Sequence, residues 1–533
     1  MGHAGARSWQ GDPTMFEFEL KLQVPVGRRE ALRKALATPG ARTSSLQARY
    51  FDTADQRLAA AGLALRLRSE DGRWVQALKG RGDGLLSRPQ DEHVLPDRGG
   101  DPVIDPSRHA GSEVGRKLIE LLAGEPLELR YATDIRRLRR TVRRGRTRIE
   151  LAFDEGGIVA GDRRHEVAEL ELELLGGPAG PLFDLAASWA ARFGLWLDPR
   201  TKSERGHRLA QGLAQVPATS ARDDAGPAAD APAAARRRRR SWRNAAAASA
   251  CQALASEALA SALAHALPNA AEIAEGLAAP EHLHQLRVGL RRLRSALRLY
   301  GPWTHDPGAA AALQQALREP FGRLSAARDA DVTAQAFLPA LQAAGAPPAA
   351  LRRPPGDGSV DLALVLREPS WTALWLRALR LAQPADPGQA GAPAAPGPPE
   401  APTEGTLRAQ AAGLLGRQWR RARREAAAFA EADDEARHRL RKRLKRLRYG
   451  LEFADGLWPQ ARTGAALRAL RDALQALGDW NDLLVAEAAF RARLAQVPEA
   501  WYALGWLAAG RAGRLRVCTT ALKAFRRCPA PWE

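Results

Sequence analysis

Phe16-Glu17-Phe18-Glu19-Leu20-Lys21-Leu22 alternates without a break: Glu17, Glu19 and Lys21 fall on one side, Phe16, Phe18, Leu20 and Leu22 on the other. Period two marks a β-strand. Its polar side sets two carboxylates and an ammonium in a row, about 7 Å between successive members at the rise of a strand. Such a face can meet a divalent cation and an anion together. Taken alone, it also fits an antiparallel strand with one wet side.

Other stretches repeat the design. Leu63, Leu65 and Leu67 alternate with Arg66 and Arg68; Ile149, Leu151 and Phe153 with Arg148, Glu150 and Asp154; Leu170, Leu172 and Leu174 with Glu169, Glu171 and Glu173. A sheet that packs its apolar side outward under helices turns such charged faces inward. This predicts a closed antiparallel β-barrel, a tunnel with flanking helices. Charges lining a cavity are costly unless paired or met by a ligand. Arg and Lys suit phosphate oxygens, and carboxylates suit Mg²⁺ or Mn²⁺.

Further along stand Arg49-Tyr50-Phe51-Asp52-Thr53, the run Gly62-Leu63-Ala64-Leu65-Arg66-Leu67-Arg68, Trp74 to Lys79-Gly80, and Arg88-Pro89-Gln90-Asp91-Glu92. Glu150 to Gly156, the acidic strand Glu169 to Glu173, and Lys202 in a last helix follow in order. With Glu17-x-Glu19-x-Lys21 at its head, this series resembles the CYTH superfamily, the triphosphate tunnel metalloenzymes, over residues 15 to about 212. The family includes inorganic triphosphatases, thiamine triphosphatases and class IV adenylate cyclases. One position departs: Gln90 stands where the family usually has a glutamate.

The resemblance implies roles. Glu17, Glu19, Glu169 and Glu171 would hold a metal, Mg²⁺ or Mn²⁺, or orient its water, with Glu150, Asp154 and Glu92 as further acidic positions. Glu17, Glu19 and Lys21 would be the catalytic set. Lys21, Arg66, Arg68, Lys79, Arg88, Arg137 and Lys202 would grip the phosphate chain, although Arg136 and Arg139 compete with Arg137 for the register. The chain has no G-x-S-x-G and no paired Cys and His, so direct attack by water on the phosphoanhydride is the simpler chemistry.

The chain has 533 residues, enough for two or three domains. Eighty Lys and Arg against sixty Asp and Glu give +20, which favours a polyanionic partner. Three cysteines make no disulfide framework and no metal spacing, and residues 1–10 lack an apolar signal core. These features predict a cytoplasmic protein with no membrane partner.

The second half is helical in pattern. Leu286, Leu290, Leu293 and Leu297 form one stripe, and His284, Arg287, Arg291 and Arg294 a basic stripe about 110° around the helix. His438, Arg441 and Arg448 lie 154 residues after His284, Arg287 and Arg294, with Lys445 in the same basic stripe. Asp482 follows Asp329 by 153. The spacing predicts an internal duplication. These residues resemble the CHAD family of duplicated helical bundles, which implies polyphosphate binding by His284, Arg287, Arg291, Arg294, His438, Arg441, Lys445 and Arg448.

The expected fold class is therefore α+β, a closed barrel followed by an all-α domain of two helical-bundle repeats. Its expected parts are a disordered N-terminus (1–14), the tunnel domain (15–212), a linker (213–240), helical repeat 1 (241–382), a disordered insert (383–404) and helical repeat 2 (405–533).

The function expected is metal-dependent hydrolysis of inorganic triphosphate to diphosphate and phosphate, beside a domain that binds long-chain polyphosphate. Three alternatives stay open: a non-catalytic polyphosphate-binding or granule-associated protein, a hydrolase of another triphosphate such as thiamine triphosphate, and an adenylate cyclase. Nucleic acid is disfavoured, because aromatics are 6% of the chain and only Tyr449 stands near the basic stripes.

Overall fold

The computed structural model describes residues 15–80, 86–96, 101–212, 218–220, 247–351, 361–384 and 404–533; at 15–17, 87–88, 247–248, 325–336 and 404–406 it describes the backbone alone. The expected N-terminal tail, nearly all of the linker with its arginine run 236–240, and most of the insert lie outside these residues.

The first half holds nine strands: β1 (Met15–Gln23), β2 (Arg42–Asp52), β3 (Ala64–Glu70), β4 (Arg73–Lys79), β5 (Ser87–Val94), β6 (Glu128–Arg144), β7 (Thr147–Ala160), β8 (Arg163–Gly176) and β9 (Trp196–Leu197). Its helices are α1 (Arg29–Leu36), α2 (Arg57–Ala60), α3 (Glu113–Leu122), α4 (Gly180–Phe193) and α5 (Lys202–Gln211). The sheet runs β5-β4-β3-β2-β6-β7-β8-β1-β9, and β1 also pairs with β5. All the pairings are antiparallel.

The sheet is antiparallel and curls until β1, which follows β8 in the order, also meets β5, the first strand of that order. β1 pairs β5 through Met15–Phe18 and β8 through Glu19–Gln23, so its two ladders occupy different halves of the strand.

Alternation sorts the two faces. Leu20, Leu22, Leu151, Phe153, Leu170 and Leu172 are fully buried on the outer face of the sheet, in a core shared with α4. Leu58, Leu65, Leu78, Leu118 and Leu122 form a second outer core under α2 and α3. The inner face is not charged throughout, as the alternation alone suggested. Leu46, Ala48, Tyr50, Tyr131, Ile135, Ile158 and Val167 make an apolar patch on it, with Leu209 and Ala210 of α5 packed against them. α5 therefore lies inside the curl. Its approach needs Gly206: a Cβ there would stand 2.3 Å from the Tyr131 ring.

The second half is helical: α6 (Ala247–Glu275), α7 (Pro280–Tyr300), α8 (Pro307–Ala316), α9 (Arg318–Ala343), α10 (Pro348–Leu351), α11 (Leu362–Arg367), α12 (Pro369–Ala382), α13 (Glu404–Ala427), α14 (Asp434–Phe453), α15 (Gln460–Arg493) and α16 (Ala500–Arg527). The predicted leucine stripes are its core; Leu286, Leu290, Leu293, Leu440, Leu444 and Leu447 are at most 1% exposed. The two basic helices, α7 and α14, pack together. Tyr300 Oη donates to the Gly450 carbonyl at 2.7 Å, and Arg292 pairs with Glu452 at 2.5 Å.

The halves share one apolar core, continuous from the outer face of β1, β7 and β8 to the helices. Thr372 on α12 donates to the Leu195 carbonyl at 3.1 Å, and Arg380 pairs with Asp184 of α4 at 2.8 Å. No helix among the described residues is long and apolar enough to cross a membrane.

Candidate active site

Register builds the site. Gln23, Glu169, Asp154 and Arg137 lie in one row across β1, β8, β7 and β6, and Lys21 lies opposite Glu171 in the next. Ala152 is the cross-strand partner of Glu171. Its methyl leaves room for Arg137 to reach diagonally over it. Arg137 makes a two-pronged pair with Asp154 (2.6 and 2.7 Å) and also donates to Glu171 at 2.5 Å. Arg139 shares this inner face and pairs with Glu70 at 3.2 Å.

Around this row the charges interlock. Lys21 Nζ lies 2.5 Å from Glu19 and donates to Glu171 at 2.7 Å. Lys202 Nζ, at the start of α5, lies 2.6 Å from Asp154 and 3.0 Å from Glu171, and pairs with Glu169. Arg205 pairs with Glu169 as well. Four carboxylates, Glu19, Asp154, Glu169 and Glu171, thus face four cations, Lys21, Arg137, Lys202 and Arg205.

The pKa directions follow. Burial pushes the Glu171 carboxyl up, but Lys202, Lys21 and Arg137 together outweigh it and hold it well below the usual range. Burial alone would lower Lys202; Asp154, Glu169 and Glu171 raise it instead. Lys21 is raised against burial by Glu171 and Glu19. A buried charge is tolerable only with such partners.

The facing wall, β3 to β5, is basic. Arg66 donates to Tyr50 Oη at 3.3 Å and lies 3.7 Å from Glu92, with Ala77 between them in the register. Arg68 stands next along the same face and is pushed below its usual value, first by the charge of Arg66 and then by burial. Lys79 lies opposite Gln90, whose side-chain oxygen is buried without a hydrogen-bond partner. Against burial, Arg66, Lys202 and Lys79 lower the Tyr50 phenol, which stacks on Tyr131 at 4.6 Å. The charges of Lys202 and Lys79 thus converge on one ring.

Of the expected site residues, the structure brings together Glu19, Lys21, Arg137, Glu169, Glu171 and Lys202, with Arg66, Arg68 and Lys79 on the facing wall. Asp154 proves central, being fully buried between Arg137 and Lys202. Glu150 lies on the same face, beside Glu173. Glu17 and Arg88 pair through their backbones, but their side chains lie outside the described residues. Four participants escaped the sequence: Gln23, Tyr50, Arg205 and Asp198, which accepts from Gln23 at 3.2 Å. Arg205 had a signal, since it sits three residues after Lys202 and shares its helix face.

The donor set suits a hard divalent cation. Ligand oxygens of Asp154, Glu169 and Glu171 lie within 4.8 Å of one another, all buried, and carboxylate oxygens are the ligands Mg²⁺ and Mn²⁺ take. The ammonium of Lys202 is in contact with all three, so an ion seated there would have to displace it. A second cluster, Asp91, His93 and His109, is also close-knit. There Gln76 presents its amide nitrogen to His109 Nε2 at 3.1 Å, fixed by its bonds to the Asp105 backbone. This leaves the His109 Nδ1 proton for Asp91 and makes the cluster a structural network.

On the helical half the two expected basic stripes converge. Lys445 is pushed down to about 6, first by burial, then by Arg291 of the facing helix and Arg441 and Arg448 of its own; Asp482 acts in the opposite sense. Arg294 lies over the Phe321 ring, and His438 contacts Asn481 at 3.2 Å. Arg287 is buried, while His284 and Arg448 are half-buried. The side chains of Asp329 and Asp331 lie outside the described residues.

A curled sheet with an acid–base wall opposite a basic wall, beside a basic helical bundle, defines the class: the chain carries a CYTH domain over residues 15–206 and a CHAD domain over residues 257–491. It is similar to the inorganic triphosphatase of Haemophilus influenzae, 31% identical over 164 residues, which are 30% of this chain and 44% of that protein. The match thus spans less than half the length of that relative. Among solved structures, the CHAD domain of Ricinus communis is 29% identical, with 54% of this chain and 94% of that chain covered and a TM-score of 0.39. A Hippeastrum protein, assigned as an adenylyl cyclase and described with a dominant triphosphatase activity, is 21% identical, with 38% and 98% covered and a TM-score of 0.28.

Proposed function

We propose that the chain is a divalent-metal-dependent triphosphatase that hydrolyses inorganic triphosphate to diphosphate and phosphate, and that its helical half binds polyphosphate. In this reading residues 15–212 act as a tunnel, and 241–382 and 405–533 as two repeats of one helical unit. The observation that carries it is the meeting of Glu19, Lys21, Arg137, Asp154, Glu169, Glu171 and Lys202 on one inner face, opposite Arg66, Arg68 and Lys79.

Phosphoryl transfer asks mainly for positioning and for charge stabilisation. Arg66, Arg68 and Lys79 take the phosphate chain on the basic wall. Lys21, Arg137 and Lys202 turn from their carboxylates toward its oxygens. Asp154, Glu169 and Glu171, with Glu19 beside them, would hold Mg²⁺ or Mn²⁺, which when bound would supply Lewis-acid activation of water and phosphate. In the helical half, Arg287, Arg291, Arg294, Arg441, Lys445 and Arg448 form a basic face whose mutual repulsion a polyanion relieves, with His284 and His438 the N-terminal members of the two stripes.

The test is phosphate release from tripolyphosphate with a metal series, beside long polyphosphate, thiamine triphosphate and ATP. The expected result is metal-dependent release that Glu19→Gln and Glu171→Gln abolish. A folded protein with no turnover on any of these substrates sinks the reading. A second reading, a non-catalytic polyphosphate binder, is favoured by Gln90, whose buried amide replaces a carboxylate on the inner face; binding without turnover would establish it.

A further inference from the structure

The helix that delivers Lys202 and Arg205 to the carboxylates is held from outside the sheet. Glu272, near the end of α6 in the helical half, is 6% exposed. One of its oxygens accepts from Arg200 at 2.8 Å, and both accept from Arg208 at 2.9 and 2.7 Å. Arg200 directly precedes Thr201, which caps α5 through a reciprocal bond with Glu204. Arg208 lies in the last turn of the same helix. A single carboxylate from the other half therefore grips α5 at both ends, and the two site cations lie between the grips.

The grip continues into the site. Arg200 makes a two-pronged pair with Asp198 (2.9 and 2.8 Å) and meets Glu275 of α6 at 2.7 Å. Asp198 accepts from Gln23 at 3.2 Å, and Gln23 also donates to Glu169 at 3.3 Å. An unbroken run of polar contacts thus joins α6 to the carboxylate row. α5 is only ten residues long, and a helix that short depends on tertiary contacts to hold its place.

We propose that Glu272 is a positioning residue for the phosphate site: the helical half fixes α5, and through it the placement of Lys202 and Arg205. This rests on the triphosphatase reading for its kinetic consequence, but not for its structural one. The variant is Glu272→Gln in the full chain, with Glu487→Gln as control. Glu487 is an equally buried glutamate that pairs with Arg511 inside the helical half.

In Glu272→Gln, hydrogen exchange of the 202–211 amides accelerates at least about tenfold, calorimetric affinity for tripolyphosphate weakens, and kcat/KM falls by about tenfold or more, as misplacement of a binding group does. Glu272→Asp recovers part of each. Glu487→Gln lowers the melting temperature and leaves α5 exchange and tripolyphosphate affinity alone. If Glu272→Gln does not fold, Arg208→Gln takes its place, with faster exchange confined to the last turn of α5. Unchanged exchange in α5, or the same changes in both glutamate variants, overturns the proposal. A wild-type chain without turnover sinks the triphosphatase reading, while exchange and binding still decide the role of Glu272.

Discussion

Lys202 Nζ lies 2.6 Å from Asp154 Oδ2, and the same ammonium touches Glu169 and Glu171. It occupies the middle of the donor set best suited to a divalent ion. Ammonium and metal therefore compete, and a phosphate chain that draws Lys202 away favours the metal. Lys202→Met is expected to bind Mn²⁺ about tenfold tighter than wild type when no phosphate is present, since no cation has to be displaced. Electron paramagnetic resonance of free Mn²⁺ measures this directly. Affinity equal to or weaker than wild type would mean that Lys202 does not hold the position of the metal.

Glu171 gives a pH signature. Burial opposes its charge, but Lys202, Lys21 and Arg137 hold its folded pKa well below the unfolded value of about 4.3. Its contribution to stability is complete above the unfolded value and fades as pH falls through the folded one. Glu171→Gln, which mimics the protonated acid, is expected to cost about 3 kcal/mol at pH 7. That gap should narrow steadily as pH drops below about 4. Urea melts at pH 7, 5, 4 and 3 test it; a gap that is constant across the series contradicts the assignment.

Much of this arrangement is legible in the sequence, for a physical reason. Strand alternation has no free parameter once one face is apolar, so Leu20, Leu151 and Leu170 outside oblige Lys21, Glu150 and Glu171 to lie inside. The leucine stripes of α7 and α14 fix their basic faces in the same way. Partnerships set by tertiary position were hidden. Nothing local says that Ala152 lets Arg137 cross to Glu171, or that α5 enters the curl and covers Tyr50 and Tyr131. Nor does it say that Glu272 reaches Arg200 from another domain. Arg292 and Arg443 lie outside both the leucine and the basic stripes, and nothing local names their partners. Packing of α7 against α14 buries Arg292 beside Glu452, and Arg443 lies buried on Glu425 of α13.

Lys445 makes the basic helical face sensitive to protons. With a pKa of about 6 in the free protein, it is mostly neutral at pH 7.5. A bound polyanion favours the ammonium and raises that value. Binding of long-chain polyphosphate near pH 7.5 is therefore expected to take up protons, and affinity should weaken as pH rises above 6 and level off below it. Titration calorimetry in two buffers of different ionisation enthalpy reads the uptake. Lys445→Arg, charged throughout, should flatten the profile. An unchanged profile in Lys445→Arg would place the titrating group elsewhere.

Gly206 offers a test in which two effects have opposite signs. In a helix interior alanine is favoured over glycine by about 1 kcal/mol, so Gly206→Ala would stabilise α5 if propensity ruled. The new Cβ, however, would stand 2.3 Å from two carbons of the Tyr131 ring. That ring has no easy retreat: it stacks on Tyr50 at 4.6 Å and its hydroxyl is bonded to Ser203 at 3.0 Å. Forcing an extra methyl into such packing costs about 1–3 kcal/mol, enough to outweigh propensity. Relief comes by lifting α5, which carries Lys202 from Asp154 and Glu171. Gly206→Ala is therefore expected to lower both the melting temperature and tripolyphosphate turnover. Adding Tyr131→Leu, which vacates the space, should restore part of the turnover although it deletes an aromatic contact. A stabilised Gly206→Ala with wild-type kinetics would show that α5 does not bear on the inner face as closely as Tyr131 and Gly206 require.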